Sequence, residues 1–159
     1  MNNFYKNVLC FILVQAIAIT SLITLSSSEP NKGGHDNSPW IHPWFKTWHI
    51  YAVNGLSQDQ TLLVHCKSKD DDLGIHNLTV GSEFTWKFRP RFFGGTLFWC
   101  YMAYDNLHAS FKAFWDNQAL YNVCDWGTCF WIAKDDGIYI RNIPKNRDDY
   151  YCNWEQGGL

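Results

Sequence analysis

The chain has 159 residues, with 13 Lys and Arg against 15 Asp and Glu for a formal charge of -2, a length that supports one domain with its own core and falls short of two ordinary ones. Mixed charge signs, with no basic run or basic helix face, exclude a nucleic-acid or anionic-membrane surface as the main partner. Nine Trp, eight Tyr and eleven Phe make up 18% of the chain. Those residues suit strands and cross-strand packing, and they are also the types enriched at interfaces.

In chain order, Lys6 is followed by the apolar run Val8 to Val14, a further apolar stretch to about Leu25, and then Ser26-Ser27-Ser28. This is the charged, apolar and small-residue pattern of a secretory signal peptide, and we place cleavage near Ser28, so that residues 1–28 are removed. An uncleaved anchor is the alternative reading, because the stretch brushes the lower length limit for a membrane span. Cleavage removes Cys10 and Lys6, the only charged residue of the segment, which moves the charge from -2 to -3 and leaves Cys66, Cys100, Cys124, Cys129 and Cys152. Five cysteines in an oxidising compartment give two disulfides with one thiol over, or a cysteine paired with another chain; spacing does not decide the pairing. The mature chain has no segment for membrane insertion.

Residues 29–45 have no hydrophobic period and contain three prolines, Pro30, Pro39 and Pro43, which predicts a flexible leader. His35, His42 and His49 lack a zinc-site spacing. From Trp48 the character is β. His49 to Val53 predicts a strand closed by Asn54-Gly55, a favoured tight-turn pair, with a polar loop running on to Gln60. Thr61 to Cys66 is a second strand, Ile75 to Val80 a short extended piece, and Ser82 to Phe88 alternates cleanly, with Phe84, Trp86 and Phe88 on one face. Gly94-Gly95 leads into Thr96 to Tyr104, apolar on both faces and therefore central, followed by Ser110 to Trp115 and a polar link. Phe130 to Ala133 and Gly137 to Asn142 form a hairpin in which Asp136-Gly137 supplies the positive backbone angles of the turn. Ile143 to Cys152 reads as a loop tied down by its cysteine. The sum is an all-β chain, a single antiparallel sandwich of about eight strands stabilised by disulfides, with no segment of helical period and no repeat.

The candidate chemistry is sparse. His65 and His76 are ribonuclease-like candidates by number alone, and His65, beside Cys66 on an apolar strand, reads as structural. No G-x-S-x-G occurs, and Glu83 faces solvent, which leaves Asp residues in turns. Asp70-Asp71-Asp72 could suggest calcium, but adjacent carboxylates cannot all reach one ion; an Asx-turn with Lys67 and Lys69 balancing the charge is the preferred reading. Cys124 and Cys129, with four residues between them, are not a redox pair. Asn77-Leu78-Thr79 is an N-glycosylation acceptor. No catalytic, metal-binding or cofactor-binding residues are assigned.

Leu63-Val64-His65-Cys66-Lys67-Ser68-Lys69-Asp70-Asp71-Asp72-Leu73-Gly74, then Phe84-Thr85-Trp86-Lys87-Phe88, Thr96-Leu97-Phe98-Trp99-Cys100, and Cys124 and Cys129 before Trp131 and Asp136-Gly137-Ile138-Tyr139 resemble the plant self-incompatibility S-protein family, the S-protein homologues, from about Trp48 to Cys152. The resemblance implies a secreted, disulfide-stapled β-sandwich over residues 46–159. In poppy, members are pistil ligands sensed by a pollen membrane protein. Cys66, Cys100, Cys124 and Cys129 match the recurrent cysteines of the family, and Cys152 matches least well. The implied activity is that of a non-enzymatic cell-cell signalling ligand recognised by a plasma-membrane receptor, with specificity in exposed loops on a rigid scaffold. The candidate contacts are Gln58 and Asp59, Asn106 and His108, and Lys134, Asp135 and Asp136. A secreted carbohydrate-binding or defence protein, using exposed Trp beside polar groups, is the alternative.

Overall fold

The computed structural model describes residues 43–157 apart from Gly94. The predicted signal peptide, most of the predicted leader, and His35 and His42 lie outside the described residues. The last leader residues, Pro43–Phe45, form a 3-10 turn, with the Trp44 ring set edge-on to Phe92 at 4.8 Å, so the ordered domain starts before residue 46.

Ten strands follow: β1 (Trp48–Asn54), β2 (Leu62–Ser68), β3 (Asp72–Leu78), β4 (Glu83–Phe88), β5 (Phe98–Tyr104), β6 (Leu107–Phe114), β7 (Thr128–Lys134), β8 (Gly137–Asn142), β9 (Arg147–Cys152) and β10 (Glu155–Gln156). They form two five-stranded sheets, ordered β4-β1-β7-β8-β9 and β10-β6-β5-β2-β3. One pairing departs from the expected antiparallel pattern: β1 and β7 run parallel, His49 opposite Thr128 through Asn54 opposite Ala133. β7 can do this because the connection before it returns the chain to the end at which β1 begins.

Alternation builds the core. β1 buries Trp48, Ile50, Ala52 and Asn54 and turns His49, Tyr51 and Val53 outward, and β2 buries Leu62, Val64 and Cys66. The aromatic surplus is spent inside: Trp48 lies 5.0 Å from Phe114 and 5.1 Å from Tyr121, and Phe88 lies 4.6 Å from Phe98 and 4.7 Å from Phe114. Such offset and edge-on pairs add to the large apolar area each ring removes from water. The fully buried Trp131 also donates its Nε1–H to Ala113 O at 2.9 Å, joining the two sheets.

Two predicted absences are corrected. The polar link holds a helix, α1 (Gln118–Val123), capped by the Asn117 side chain, which accepts from Ala119 N and Leu120 N. At six residues it is too short to show a period, and it buries only Leu120 and Tyr121. The final loop is instead β9, paired with β8; its charged residues Arg147, Asp148 and Asp149 sit on an edge strand, where an apolar alternation is not required.

Cys66 faces Cys100 across β2 and β5, and the two are bonded; Cys124 and Cys129 join the end of α1 to β7. Cys152 is the one unpaired cysteine of the described residues. Gly137 begins β8 because a Cβ there would meet Cys152 O at 2.6 Å and the Tyr150 ring at 2.8 Å; close approach by β9 is what requires glycine. Replacing Cys66 and Cys100 together by Ala should cost about 2–5 kcal/mol of stability, seen as a lower denaturant midpoint, and an unchanged midpoint would contradict a structural role for the bond.

Candidate functional site

Asn54 organises one end of the sandwich. It is fully buried, and its Nδ2 donates to Gln60 O at 2.9 Å and Leu78 O at 2.8 Å while its Oδ1 accepts from Leu56 N at 3.1 Å. Its backbone adds bonds to Ser82 O and from Gly81 N. One amide thus ties β1 to the loop 55–61 and to β3 in the opposite sheet. The Asn54-Gly55 pair reads in the sequence as a tight turn, and no local signal separates a turn Asn from a buried one.

The three candidate loops meet at this end. Ser57 N donates to Asp135 Oδ1 at 3.0 Å, Gln60 Nε2 to Asp105 Oδ2 at 2.9 Å, and Tyr104 Oη to Asp135 O at 3.2 Å. Gly55 N bonds Ala133 O. Trp154, which sequence reading did not single out, covers the side: its Nε1 donates to Lys134 O at 2.7 Å and its ring lies edge-on to Tyr104 at 4.9 Å. The turn between β5 and β6 is the pair Asp105-Asn106, with Asp105 left-handed at φ 48°, a conformation that Asp tolerates better than most residues.

Gln58, Asp59, Asn106, Asp135 and Asp136 are exposed here. Two candidates are placed differently. His108 is in β6 because the two-residue turn ends at Leu107; it is half-buried, stacked on Tyr101, with Nε2 3.6 Å from Glu155. Lys134 is engaged within the fold, its Nζ 2.7 Å from Asp148 Oδ2 and 4.5 Å above the Tyr139 ring.

The end is acidic. Among the described residues, its loops and strand tips carry Asp59, Glu83, Asp105, Asp135, Asp136 and Glu155 against the ammonium of Lys134 alone. Ser57, through its side chain first and its backbone N–H second, holds the Asp135 carboxyl below the ordinary aspartate value of 3.8. The Tyr104 phenol is pushed up by burial and then by the charges of Asp135, Asp105 and Asp136. Asp148, in contrast, is raised by partial burial and lowered by its bonds from Lys134 and Arg141, and the lowering wins.

The stretch from His65 to Gly74 assembles nothing catalytic. His65 and His76 sit opposite Ile75 and Val64 respectively, which puts them on opposite faces of the sheet. His65 faces outward, its Nε2 2.7 Å from Asp72 Oδ1, and His76 stacks inward on Phe84 at 3.6 Å. Asp72 accepts from Gly74 N at 2.9 Å, and Ser68 Oγ accepts from Asp70 N and Asp71 N. The expected Asx geometry is present at Asp72, whose carboxyl is lowered first by the Gly74 N–H, then by His65 and, through its charge, by Lys67; the direct ion pairs are His65 with Asp72 and Arg91 with Asp70. Arg91 and Asp70 flank an open cleft of about 430 Å³ at the opposite end from Asn54. Among the described residues, no three His, Cys, Asp or Glu side chains gather as a metal site. No helix of the described residues is long and apolar enough to cross a membrane. The Cys152 thiol is pushed up by burial, then by Glu155.

Two five-stranded sheets with two disulfides and a polar loop end define a small disulfide-stapled β-sandwich. Residues 49–154 match the model of the family described as plant self-incompatibility protein S1. The chain is 42% identical to S-protein homolog 1 of Arabidopsis thaliana over 125 residues, 79% of this chain and 83% of that one, and 42% identical to S-protein homolog 74 of the same plant over 117 residues, 74% and 78% of the two. A solved structure from proteins described as a widespread family of small, highly stable, secreted proteins from plants aligns with a TM-score of 0.55 and 18% identity, covering 70% of this chain and 96% of that one. The chain belongs to the plant self-incompatibility protein S1 family, the S-protein homologues.

Asn54→Ala removes the amide and should cost about 1–3 kcal/mol for each buried backbone group left unpaired, with faster amide exchange concentrated in residues 55–61. Because the Asp135 carboxyl is depressed, its bond to Ser57 N is present above the ordinary aspartate value and is lost as pH falls through the folded-state value. The Ser57 amide resonance should therefore titrate with a midpoint below 3.8, and a midpoint at or above that value would refute the contact.

Proposed function

We propose that the mature chain is a secreted, non-enzymatic signalling ligand, recognised by a plasma-membrane protein of another cell through the acidic loop end. The observation that carries this reading is the concentration of carboxylates on loops whose exposed tips the core does not need, set on a backbone held in place by Asn54. Surface charge of one sign speeds encounter with a complementary surface and selects against others, so the partner is expected to present Lys and Arg. The carbohydrate-binding alternative draws less support: the large exposed apolar residues include Phe, Tyr, Ile, Leu and Val but no Trp among those described.

The test uses the oxidised mature chain, immobilised and offered to solubilised plant membrane proteins and, separately, to cell-wall polysaccharides. A membrane protein should be retained and should dissociate with added salt. Asp59→Lys combined with Asp136→Lys should slow its association by roughly tenfold or more while leaving the thermal midpoint within a few degrees. Retention of polysaccharide alone, or association indifferent to both substitutions, would overturn the reading.

A further inference from the structure

The chain contains one Asn-x-Ser/Thr triplet, Asn77-Leu78-Thr79, and the fold puts it on the open edge of a sheet. β3 is paired with β2 alone, and alternation along it sends Leu78 into the core and Asn77 to solvent. Asn54, Asn117 and Asn142 have their amides engaged, with backbone, in capping α1 and with Asp149 respectively. The Asn77 amide has no partner among the described residues. Its surroundings are apolar. Leu63, half-buried, lies directly across the ladder from Asn77, and Ile75, on the same face two residues earlier, is 63% exposed. An open strand edge beside exposed aliphatic side chains is a template for association with another chain.

We infer that Asn77 carries an N-linked glycan whose inner sugars lie over Leu63 and Ile75 and screen the open edge of β3. This rests on the secretory reading proposed above, since the donor is a lipid-pyrophosphate-linked oligosaccharide of the secretory compartment. In the transfer, Asn77 Nδ2 forms a C–N bond to C1 of the terminal N-acetylglucosamine as the C–O bond to pyrophosphate breaks. Nδ2 gives up one proton, the lipid pyrophosphate leaves, and nothing is oxidised or reduced. The glycan closes the outer face at this edge of the second sheet to partners.

The chain is expressed in plant cells behind its own leader and, in parallel, behind a signal sequence of established function. Intact mass and gel mobility are read before and after peptide N-glycosidase, which converts a glycosylated Asn77 to Asp. The glycan should be present, should be lost in Asn77→Gln and in Thr79→Ala, and should return in Thr79→Ser. The bare Asn77→Gln protein should self-associate at least about twofold more strongly than the glycosylated one in sedimentation. Secreted protein with an unmodified Asn77 overturns the proposal and leaves the secretory reading standing. Retention behind the native leader, with a glycan behind the substitute signal, removes the secretory reading and keeps Asn77 as a competent acceptor. Equal self-association overturns the screening role.

Discussion

The buried amide of Asn54 is the constraint on which the acidic loop end depends. A backbone N–H or C=O removed from water without a partner costs more than a formed bond returns, and the loop 55–61 and the end of β3 would each leave such groups at the sheet interface. One side chain satisfies Leu56 N, Gln60 O and Leu78 O together. A hydrophobic residue of the same size could fill the volume but would strand all three. The loop that leaves β1 is therefore fixed at its base, while Gln58 and Asp59 at its tip remain exposed. The base of the loop is thus fixed by buried hydrogen bonds while its tip stays in solvent.

The core shows why such a fold carries so many aromatic residues. Two five-stranded sheets over a described span of little more than a hundred residues offer a thin interior, and large rings fill it with few side chains. Trp131 fills space and bonds Ala113 O in the facing sheet, while Phe88, Phe98 and Phe114 interlock near the opposite end. The cross-link between Cys66 and Cys100 lies within one sheet, and the link between Cys124 and Cys129 spans a sharp turn. Neither bridges the two sheets. Their association rests on packing and on the few polar ties at each end.

Much of this was legible in the residues. The alternation of Phe84, Trp86 and Phe88 with Glu83, Thr85 and Lys87 gave β4 directly, because one face is wet. The apolar run ending in Tyr104 gave β5, which lies in the middle of its sheet, although Trp99 and Tyr101 on its outer face are only partly buried. The loops at Gln58, Asn106 and Asp135 announced themselves by polarity, yet nothing local said that they share one end, since that follows from pairings such as β1 with β7 that join residues far apart in sequence. β9 and α1 were missed for opposite reasons: one is an edge strand too charged to alternate, the other a helix too short to have a period. His65 reads as a structural histidine and is hydrogen-bonded to Asp72 on the outer face, since a strand sends it to the side opposite its buried neighbour Cys66.

The parallel pairing of β1 with β7 also dictates an order of assembly. β2, β3, β5 and β6 lie within residues 62–114 and pair only with one another until β10 arrives, so four strands of the second sheet and the Cys66–Cys100 bond need nothing from the last third of the chain. The first sheet is different. Before β7 arrives, β1 has only the edge strand β4 as a neighbour, and its inner face, with Trp48 and Ile50, has half a sheet to complete it. During vectorial synthesis the earliest strand is among the last to be fully enclosed, and long-range pairing of this kind slows folding and prolongs exposure of apolar surface.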